Sequence, residues 1–489
     1  MCGVLGIKIK NPVLNARATE IARSALLRLQ HRGQDAAGMT VLPREGRFES
    51  LRGLGHVDVA LKEWPHLPES IALVAHTRYA TTGLGGVAEV QPFVKGAPRL
   101  AMAHNGNIVN TSELKERHSL ICDSESDLEV LQQFFLRFEL ELGFAETIER
   151  LHKDFVGSYA VVGLTEEGEL FGFRDPYGIR PLFIYESENI VVLASETSAL
   201  NFLKDFEVEA ELGKTGTLRE VEPGAWVRVS PDGSVEEKRT QFSADKSERF
   251  CMFELVYFSS PQSEFAGLST YRHRFSMGRQ LGIEILSELP TQKNEDAPFD
   301  YVVPVPETSR AAAIAVAETL RVPYREYLVK NPYASRTFIL STQARRLKAL
   351  ETKLSLIGPE VKGQRILLVD DSVVRGNTSR LMAKRLKEAG ATSVSLASAC
   401  PPIRHGCYYG IDFPDAEELV AAQAGSNIGI AKSLGVANVF YLSIAGLKKA
   451  LGTGDLCSAC LDGDYPSAGP SFDRFLSERR AQRGEALRV

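Results

Sequence analysis

The pattern of apolar residues changes character halfway along this chain, and no single sheet or bundle accommodates both halves. In the first half, short apolar runs are separated by glycines and polar turns: Ile71–Ala75, Leu100–Ala103, Tyr159–Leu164, Leu170–Phe173, Leu182–Tyr185 and Ile190–Ala194. Runs of this length predict strands of one or two antiparallel sheets. Ala18–Leu29 and Asp127–Phe138 carry helical spacing, so the half reads as α+β. In the second half strand and helix alternate: Tyr301–Val305, Ala311–Thr319, Ile366–Val369, Ser379–Lys387, Val394–Ala397 and Val439–Leu442. That alternation predicts a parallel sheet with ligands at the carboxyl ends of its strands. The polar stretch Ser230–Ser247, with the turn Pro231-Asp232-Gly233, marks the boundary. The chain therefore divides into 2–235 and 236–489, as expected of 489 residues, which exceed what one core usually supports. The charged tail Ser477–Val489 is expected to fray.

Composition narrows the function. Net charge is -5, so no global basic field exists to hold nucleic acid. No apolar run approaches the roughly 18 residues needed to cross a bilayer. The start, Met1 to Ile7, lacks the basic and apolar regions of a signal peptide, so a soluble cytoplasmic protein without membrane or nucleic-acid partners is expected. Seven cysteines are too few for a disulfide scaffold, and those that matter should be nucleophiles or metal ligands.

Cys2 is the first such residue. Removal of Met1 would expose it, and its α-amine, with an ordinary pKa of about 7.7–8.0, would serve as base for its own thiol. Three polar patches accompany it: His31-Arg32-Gly33-Gln34-Asp35, His76-Thr77-Arg78-Tyr79 and His104-Asn105-Gly106-Asn107. The last two follow predicted strands. Asn-Gly at a strand end is usually a turn, but the pair can also offer a side-chain amide and a backbone N–H to a developing oxyanion.

The string Ile366-Leu367-Leu368-Val369-Asp370-Asp371-Ser372-Val373-Val374-Arg375-Gly376-Asn377-Thr378-Ser379 ends a buried strand in two carboxylates. A glycine-containing loop then opens a helix, and its N–H groups can cradle a phosphate. The paired acids can hold ribose hydroxyls directly or through Mg²⁺. Cys457-Ser458-Ala459-Cys460, with Cys251 and Cys407, supplies four thiolates, enough to close a zinc site or hold a [4Fe–4S] cluster.

The first set of motifs, with Ser126-Asp127, resembles the class II glutamine amidotransferases. The acid-acid string is similar to the phosphoribosyl diphosphate signature of type I phosphoribosyltransferases. Together with Pro304–Ser309, Tyr271–Gly278, Lys330-Asn331-Pro332-Tyr333 and Arg336–Ile339, the chain resembles the amidophosphoribosyltransferases over nearly its whole length. The resemblance implies a four-layer αββα N-terminal-nucleophile glutaminase domain, then an α/β type I phosphoribosyltransferase domain.

In that likeness Cys2 forms a glutamyl thioester, and Asn105 and Gly106 make the oxyanion hole. Arg78 binds the glutamine α-carboxylate and Asp127 its α-amine. Thr308, Asp370 and Asp371 sit at a Mg²⁺ site. Arg375, Gly376, Asn377, Thr378 and Ser379 contact the 5′-phosphate, and Lys330 and Arg336 meet the diphosphate. The reaction implied is glutamine-dependent formation of phosphoribosylamine, which opens purine synthesis, with ammonia passed internally. Cys251, Cys407, Cys457 and Cys460 match the ligands of the iron–sulfur branch, which favours a [4Fe–4S] cluster over zinc. Cys122 and Cys400 are left as small buried side chains. Feedback by purine nucleotides and a homotetramer are implied as well.

Four features depart from the family pattern. Only Met1 precedes the cysteine where cluster-bearing relatives often carry a propeptide. Asn377 replaces a usual Thr, Ser260 and Gln262 replace an Arg and an Asp, and Glu351 stands where a basic residue is common. Two other readings are weaker. A sugar-aminating or asparagine-forming amidotransferase would lack Val369–Ser379. A non-catalytic sensor of phosphoribosyl diphosphate would have no use for Cys2 with Arg78, Asn105 and Asp127.

Overall fold

The computed structural model describes residues 2–79, 86–289, 298–331, 354–413, 416–467, 472 and 474–478. β1 (Gly3–Ile9), β2 (Ala36–Pro43), β3 (Glu49–Leu54) and β4 (Ser70–Arg78) start one sheet. β5 (Phe93–Lys95), β6 (Leu100–Ile108), β7 (Gly157–Thr165) and β8 (Leu170–Arg174) start a second. β9 (Phe183–Glu186), β10 (Ile190–Ala194) and β11 (Thr217–Glu220) return to the first, and β12 (Ala225–Val229) and β13 (Val235–Arg239) to the second. The strand orders are β11-β9-β10-β1-β4-β2-β3 and β13-β12-β8-β7-β6-β5, antiparallel throughout.

Alternation along the strands builds the layers. Val4, Val74, Ala101, Val162 and Leu193 fill the space between the sheets. Ile7, Leu73 and Val192 face the other way, onto Ile21 and Ala25 of the helix Ala18–Arg28 and Leu29 at its end. Phe171, Phe173 and Met102 meet Leu131, Phe134 and Ile148 of the helices Asp127–Leu142 and Phe144–Asp154. Helix, sheet, sheet and helices stack as the four expected layers. β1, which carries Cys2 at its head, lies inside its sheet between β10 and β4.

Two details differ from expectation. His76-Thr77-Arg78 and His104–Asn107 do not follow their strands; they are strand residues, because β4 runs to Arg78 and β6 to Ile108. Asn105 pairs with Ala160 and Gly106 with Tyr159, so the neighbouring strand overrides the local turn preference of Asn-Gly. The hairpin of β12 and β13 also carries the second sheet to Arg239, past residue 235.

The second unit holds a parallel sheet of Tyr301–Pro304, Arg365–Asp370, Ser393–Ser398 and Val439–Tyr441, in that order. The Ala-rich helix Arg310–Leu320 packs closely on the helix Thr270–Glu288. A Cβ on Gly278 would lie 2.2 Å from the carbonyl oxygen of Ala312, so small residues are what allow this approach. Phe250–Cys251 and Leu456–Cys457 form a separate short parallel pair. Among the described residues no helix is long and apolar enough to cross a membrane.

Candidate functional site

The sheet register brings the first set of residues together. Cys2 precedes β1, and Gly3 faces Thr77 of β4. The backbone N–H of Cys2 donates to Asn105 Oδ1 at 3.2 Å, and its thiol lies 3.8 Å from the carbonyl oxygen of Tyr79. Asn105 Nδ2 is buried and has no partner among the described residues. An orphaned buried N–H beside a nucleophile is what an oxyanion hole requires, since the group is desolvated in advance of its ligand. Gly106 follows in the same strand at φ +155, where a Cβ would collide with the Ser158 carbonyl.

Arg78 ends β4 and pairs with Glu89 at 2.5 Å, so a substrate carboxylate must compete with Glu89 for it. Asp127 opens its helix. Its Oδ2 accepts from the Ile108 N–H at 3.1 Å and lies 3.1 Å from His104 Nε2. Burial would raise its pKa, but His104 and the N–H groups of Ile108 and Leu128 hold it below the ordinary value. The Gln91 amide grips His104 twice, accepting from its backbone N–H at 2.8 Å and lying 3.1 Å from Nδ1. Donation from Gln91 to Nδ1 leaves the ring proton on Nε2, directed at Asp127. His104 was singled out only as part of a patch, and Gln91 gave no sequence signal.

Arg32 belongs to the first polar patch, where the sequence assigns it no role. It is fully buried and donates to the Cys2 carbonyl at 2.9 Å, to Glu196, and to both carboxylate oxygens of Glu254 at 2.8 and 2.9 Å. Glu254 lies in the second unit, so a desolvated charge network crosses the domain boundary at the nucleophile. Without Glu254 the buried Arg32 keeps Glu196 but loses two charge-assisted hydrogen bonds, and removing one partner of a buried ion pair costs about 3–5 kcal/mol. Glu254→Ala is therefore expected to lower the denaturant midpoint sharply. An unchanged midpoint would mean that water replaces the lost carboxylate.

In the second unit Asp370 ends its strand at the carboxyl edge of the sheet, and Asp371 follows. Burial raises both carboxyls above the ordinary range; Asp371 adds to the rise at Asp370, while Thr308, Ser372 and Arg274 partly offset it at Asp371. Ser379 Oγ lies 3.4 Å from Asp370 Oδ2. Gly376, at φ +70, caps the helix Asn377–Glu388, and a Cβ there would strike Leu434 at 2.4 Å. The helix N-terminus thus opens towards the two acids, and Thr308, Lys330 and residues 375–379 line the same cavity. Arg375 lines the cavity with them, and its Nε pairs with Glu418 at 2.8 Å, so a phosphate must compete with Glu418 for it. Arg336 and Glu351 lie outside the described residues.

That cavity measures about 1320 Å³ and extends from Asp370 and Asp371 to His31, Gln34 and Tyr79 of the first unit. One cavity thus reaches from the two acids to Tyr79, whose carbonyl oxygen lies 3.8 Å from the Cys2 thiol. Ser260, one of the departures, lines the cavity and donates its N–H to Glu196 at 3.0 Å.

The four expected cysteine ligands also converge. Cys251 and Cys457 are register partners, and the N–H groups of Arg404 and His405 donate to the Cys460 carbonyl at 2.9 and 3.0 Å, bringing the Cys407 turn alongside. Burial pushes the Cys251 thiol up to about 11; Cys457 and Cys460 are raised by burial and then by the neighbouring thiols, Cys407 among them. Cys400 is buried nearby, with Asp371 as its leading charged neighbour. Cys122 is half-buried elsewhere. Among the described residues no three His, Cys, Asp or Glu side chains are grouped so as to hold a metal ion.

The fold and its two sites define a glutamine amidotransferase joined to a phosphoribosyltransferase. Residues 76–202 match the family model of the glutamine amidotransferase domain, and residues 280–419 that of the phosphoribosyl transferase domain. The chain is 36% identical to the amidophosphoribosyltransferase of Archaeoglobus fulgidus, covering 96% of this chain and 99% of that one. It is 38% identical to that of Saccharomyces cerevisiae, covering 91% and 88%. The solved glutamine phosphoribosylpyrophosphate amidotransferase of Bacillus subtilis, complexed with ADP and GMP, superimposes with a TM-score of 0.80 at 34% identity, over 96% of this chain and 98% of that one. The chain belongs to the amidophosphoribosyltransferase family, enzymes of glutamine-dependent amido transfer in purine synthesis.

Proposed function

We propose that this enzyme converts glutamine, water and phosphoribosyl diphosphate to phosphoribosylamine, glutamate and diphosphate, with ammonia passing through the shared cavity. One observation carries the reading: the 1320 Å³ space that begins at Tyr79, beside the Cys2 thiol, ends at Asp370 and Asp371. Cys2 attacks the glutamine amide, Asn105 Nδ2 and Gly106 N–H receive the oxyanion, and the thioester hydrolyses. Arg78, released from Glu89, takes the α-carboxylate, and Asp127 the α-ammonium. At the second site the N–H groups of residues 376–379 cradle the 5′-phosphate, Asp370 and Asp371 hold the ribose hydroxyls, and Lys330 faces the diphosphate. Two buried carboxylates side by side, with raised pKa values, suit a divalent cation, and Mg²⁺ bound there with Thr308 would offset charge on the departing diphosphate. The test is phosphoribosylamine formation by purified protein with glutamine as sole nitrogen source. Glutamine hydrolysis without that product would sink the reading.

The four converging thiols fit a [4Fe–4S] cluster. Zinc, with Zn–S of about 2.3 Å, draws four sulfurs within about 4 Å of one another. A cubane gives each cysteine its own iron, and the cluster is preferred to zinc because the four cysteine segments resemble those of the iron–sulfur branch. Nothing in the chemistry needs an electron, so the role is structural, with metal binding contributing to folding. Cys407→Ser should lose iron and fold poorly, while Cys400→Ser keeps full iron and its unfolding midpoint. Iron loss in Cys400→Ser, or full iron in Cys407→Ser, would show that the fourth ligand is misassigned. Purine nucleotides as feedback inhibitors are supported by the ADP and GMP of the Bacillus subtilis structure. A homotetramer rests on the sequence resemblance, and sedimentation tests it.

A further inference from the structure

Three hydrogen bonds and one backbone contact fasten the turn Tyr408–Gly410 of the second unit to the first unit beside its site. Asn107 Nδ2 donates to the Tyr408 carbonyl at 2.8 Å. Ser158 Oγ donates to the Tyr409 carbonyl at 2.9 Å, and the fully buried Arg180 donates to the same oxygen. Gly410, at φ +94, sits so close to Gly106 that a Cβ on it would lie 2.9 Å from the Gly106 oxygen and 3.0 Å from its carbonyl carbon. Asn107 follows Gly106 in β6, and Ser158 is its register partner in β7. Gly106 and Asn107 belong to the stretch that carries the oxyanion donors, Ser158 to the strand paired with it, and Arg180, outside both strands, donates from Nε to Ser158 Oγ at 3.4 Å. The turn itself is shaped at Cys407, whose sulfur accepts from the Tyr409 N–H at 3.3 Å.

We propose that Tyr408–Gly410 is a positioning element for the glutaminase site: it holds Gly106 and Asn107 so that the neighbouring donors point at the oxyanion. This rests on reading Asn105 and Gly106 as those donors. Gly106 needs such support because a glycine at φ +155 has no side chain to fix its peptide planes, and β7 secures only one edge of it. A misplacement on the order of 1 Å at such a donor can cost about 10²-fold in rate. Tyr408, Tyr409 and Gly410 are not among the residues lining the cavity, which include Ile411, Asp412 and Phe413 directly after them, so turnover with ammonia tests whether a change in the turn spreads beyond the acylation chemistry.

The experiment compares the full-length parent with Gly410→Ala, Asn107→Ala and Asn105→Ala. Gly410→Ala should lower kcat with glutamine by about 10–100-fold. KM for glutamine, turnover with ammonia and alkylation of Cys2 by iodoacetamide should stay near parent values. Alkylation by that reagent needs the thiol but no oxyanion hole, so it separates a damaged donor from a damaged nucleophile. Asn107→Ala removes one tether without backbone strain and should show the same split in milder form, which serves if Gly410→Ala does not fold. Equal loss of glutamine and ammonia turnover, or full glutamine turnover in both turn variants while Asn105→Ala is inactive, would overturn the proposal. Full glutamine turnover in Asn105→Ala would instead overturn the oxyanion reading beneath it.

Discussion

Cys2→Ala is expected to abolish turnover with glutamine, by at least about 10⁴-fold, since removing a nucleophile outright leaves only the residual effect of binding and oxyanion donors. Turnover with concentrated ammonium chloride should persist, because the sites are built from separate residues. Cys2 is held by Asn105 and Arg32. Asp370, Asp371 and the helix Asn377–Glu388 belong to another sheet, that of the second unit. Alanine keeps the backbone that Arg32 grips, so the buried network of Glu196 and Glu254 survives the change. The nitrogen of Cys2 that donates to Asn105 becomes the α-amine once Met1 is removed, which orients the base beside its own thiol. Loss of ammonia turnover in a folded Cys2→Ala protein would show that the sites are not separable. Active enzyme that retains Met1 would exclude the free amine as base.

How far the sequence carries this far depends on the range of each interaction. Cys2, Asn105, Asp127 and the run from Asp370 to Ser379 were legible because their chemistry is written in contiguous residues beside strand or helix signals. The two-sheet, four-layer first unit and the parallel second unit were legible for the same reason. The strand character of Asn105 and Gly106 was not, since only β7 reveals it. The Arg32 network joins residues 164 and 222 positions apart, and nothing local marks Glu196 or Glu254 as its acids. Gln91 behind His104 and the turn at Gly410 behind Gly106 are likewise tertiary facts. At Arg375 the motif suggests a phosphate ligand, and the structure adds a competitor that nothing local marks, Glu418, distant in sequence.

Asp371→Asn should cripple turnover with glutamine and with ammonia alike, by about 10²–10³-fold, the usual cost of losing a preorganised charged contact at a reacting centre. Both nitrogen sources converge on the same ribose, so neither can bypass this residue, whereas Cys2→Ala separates them. The variant also distinguishes a functional role from a structural one. Asp370 and Asp371 are buried beside each other, with burial and mutual repulsion raising the Asp370 carboxyl and burial raising Asp371. Such a pair opposes folding at neutral pH unless a cation or ligand satisfies it. An asparagine keeps the shape and removes one charge, and its amide can still meet Thr308 and Ser372. In metal-free buffer the thermal midpoint of Asp371→Asn should therefore equal or exceed that of the parent while activity collapses, the mark of a site that gives up stability for function. Addition of Mg²⁺ with phosphoribosyl diphosphate should raise the parent's midpoint more than the variant's. Normal ammonia turnover in the variant would rule out Asp371 as a ribose or metal contact. A lower midpoint in metal-free buffer would mean instead that the second carboxylate is an ordinary structural acid held by Arg274.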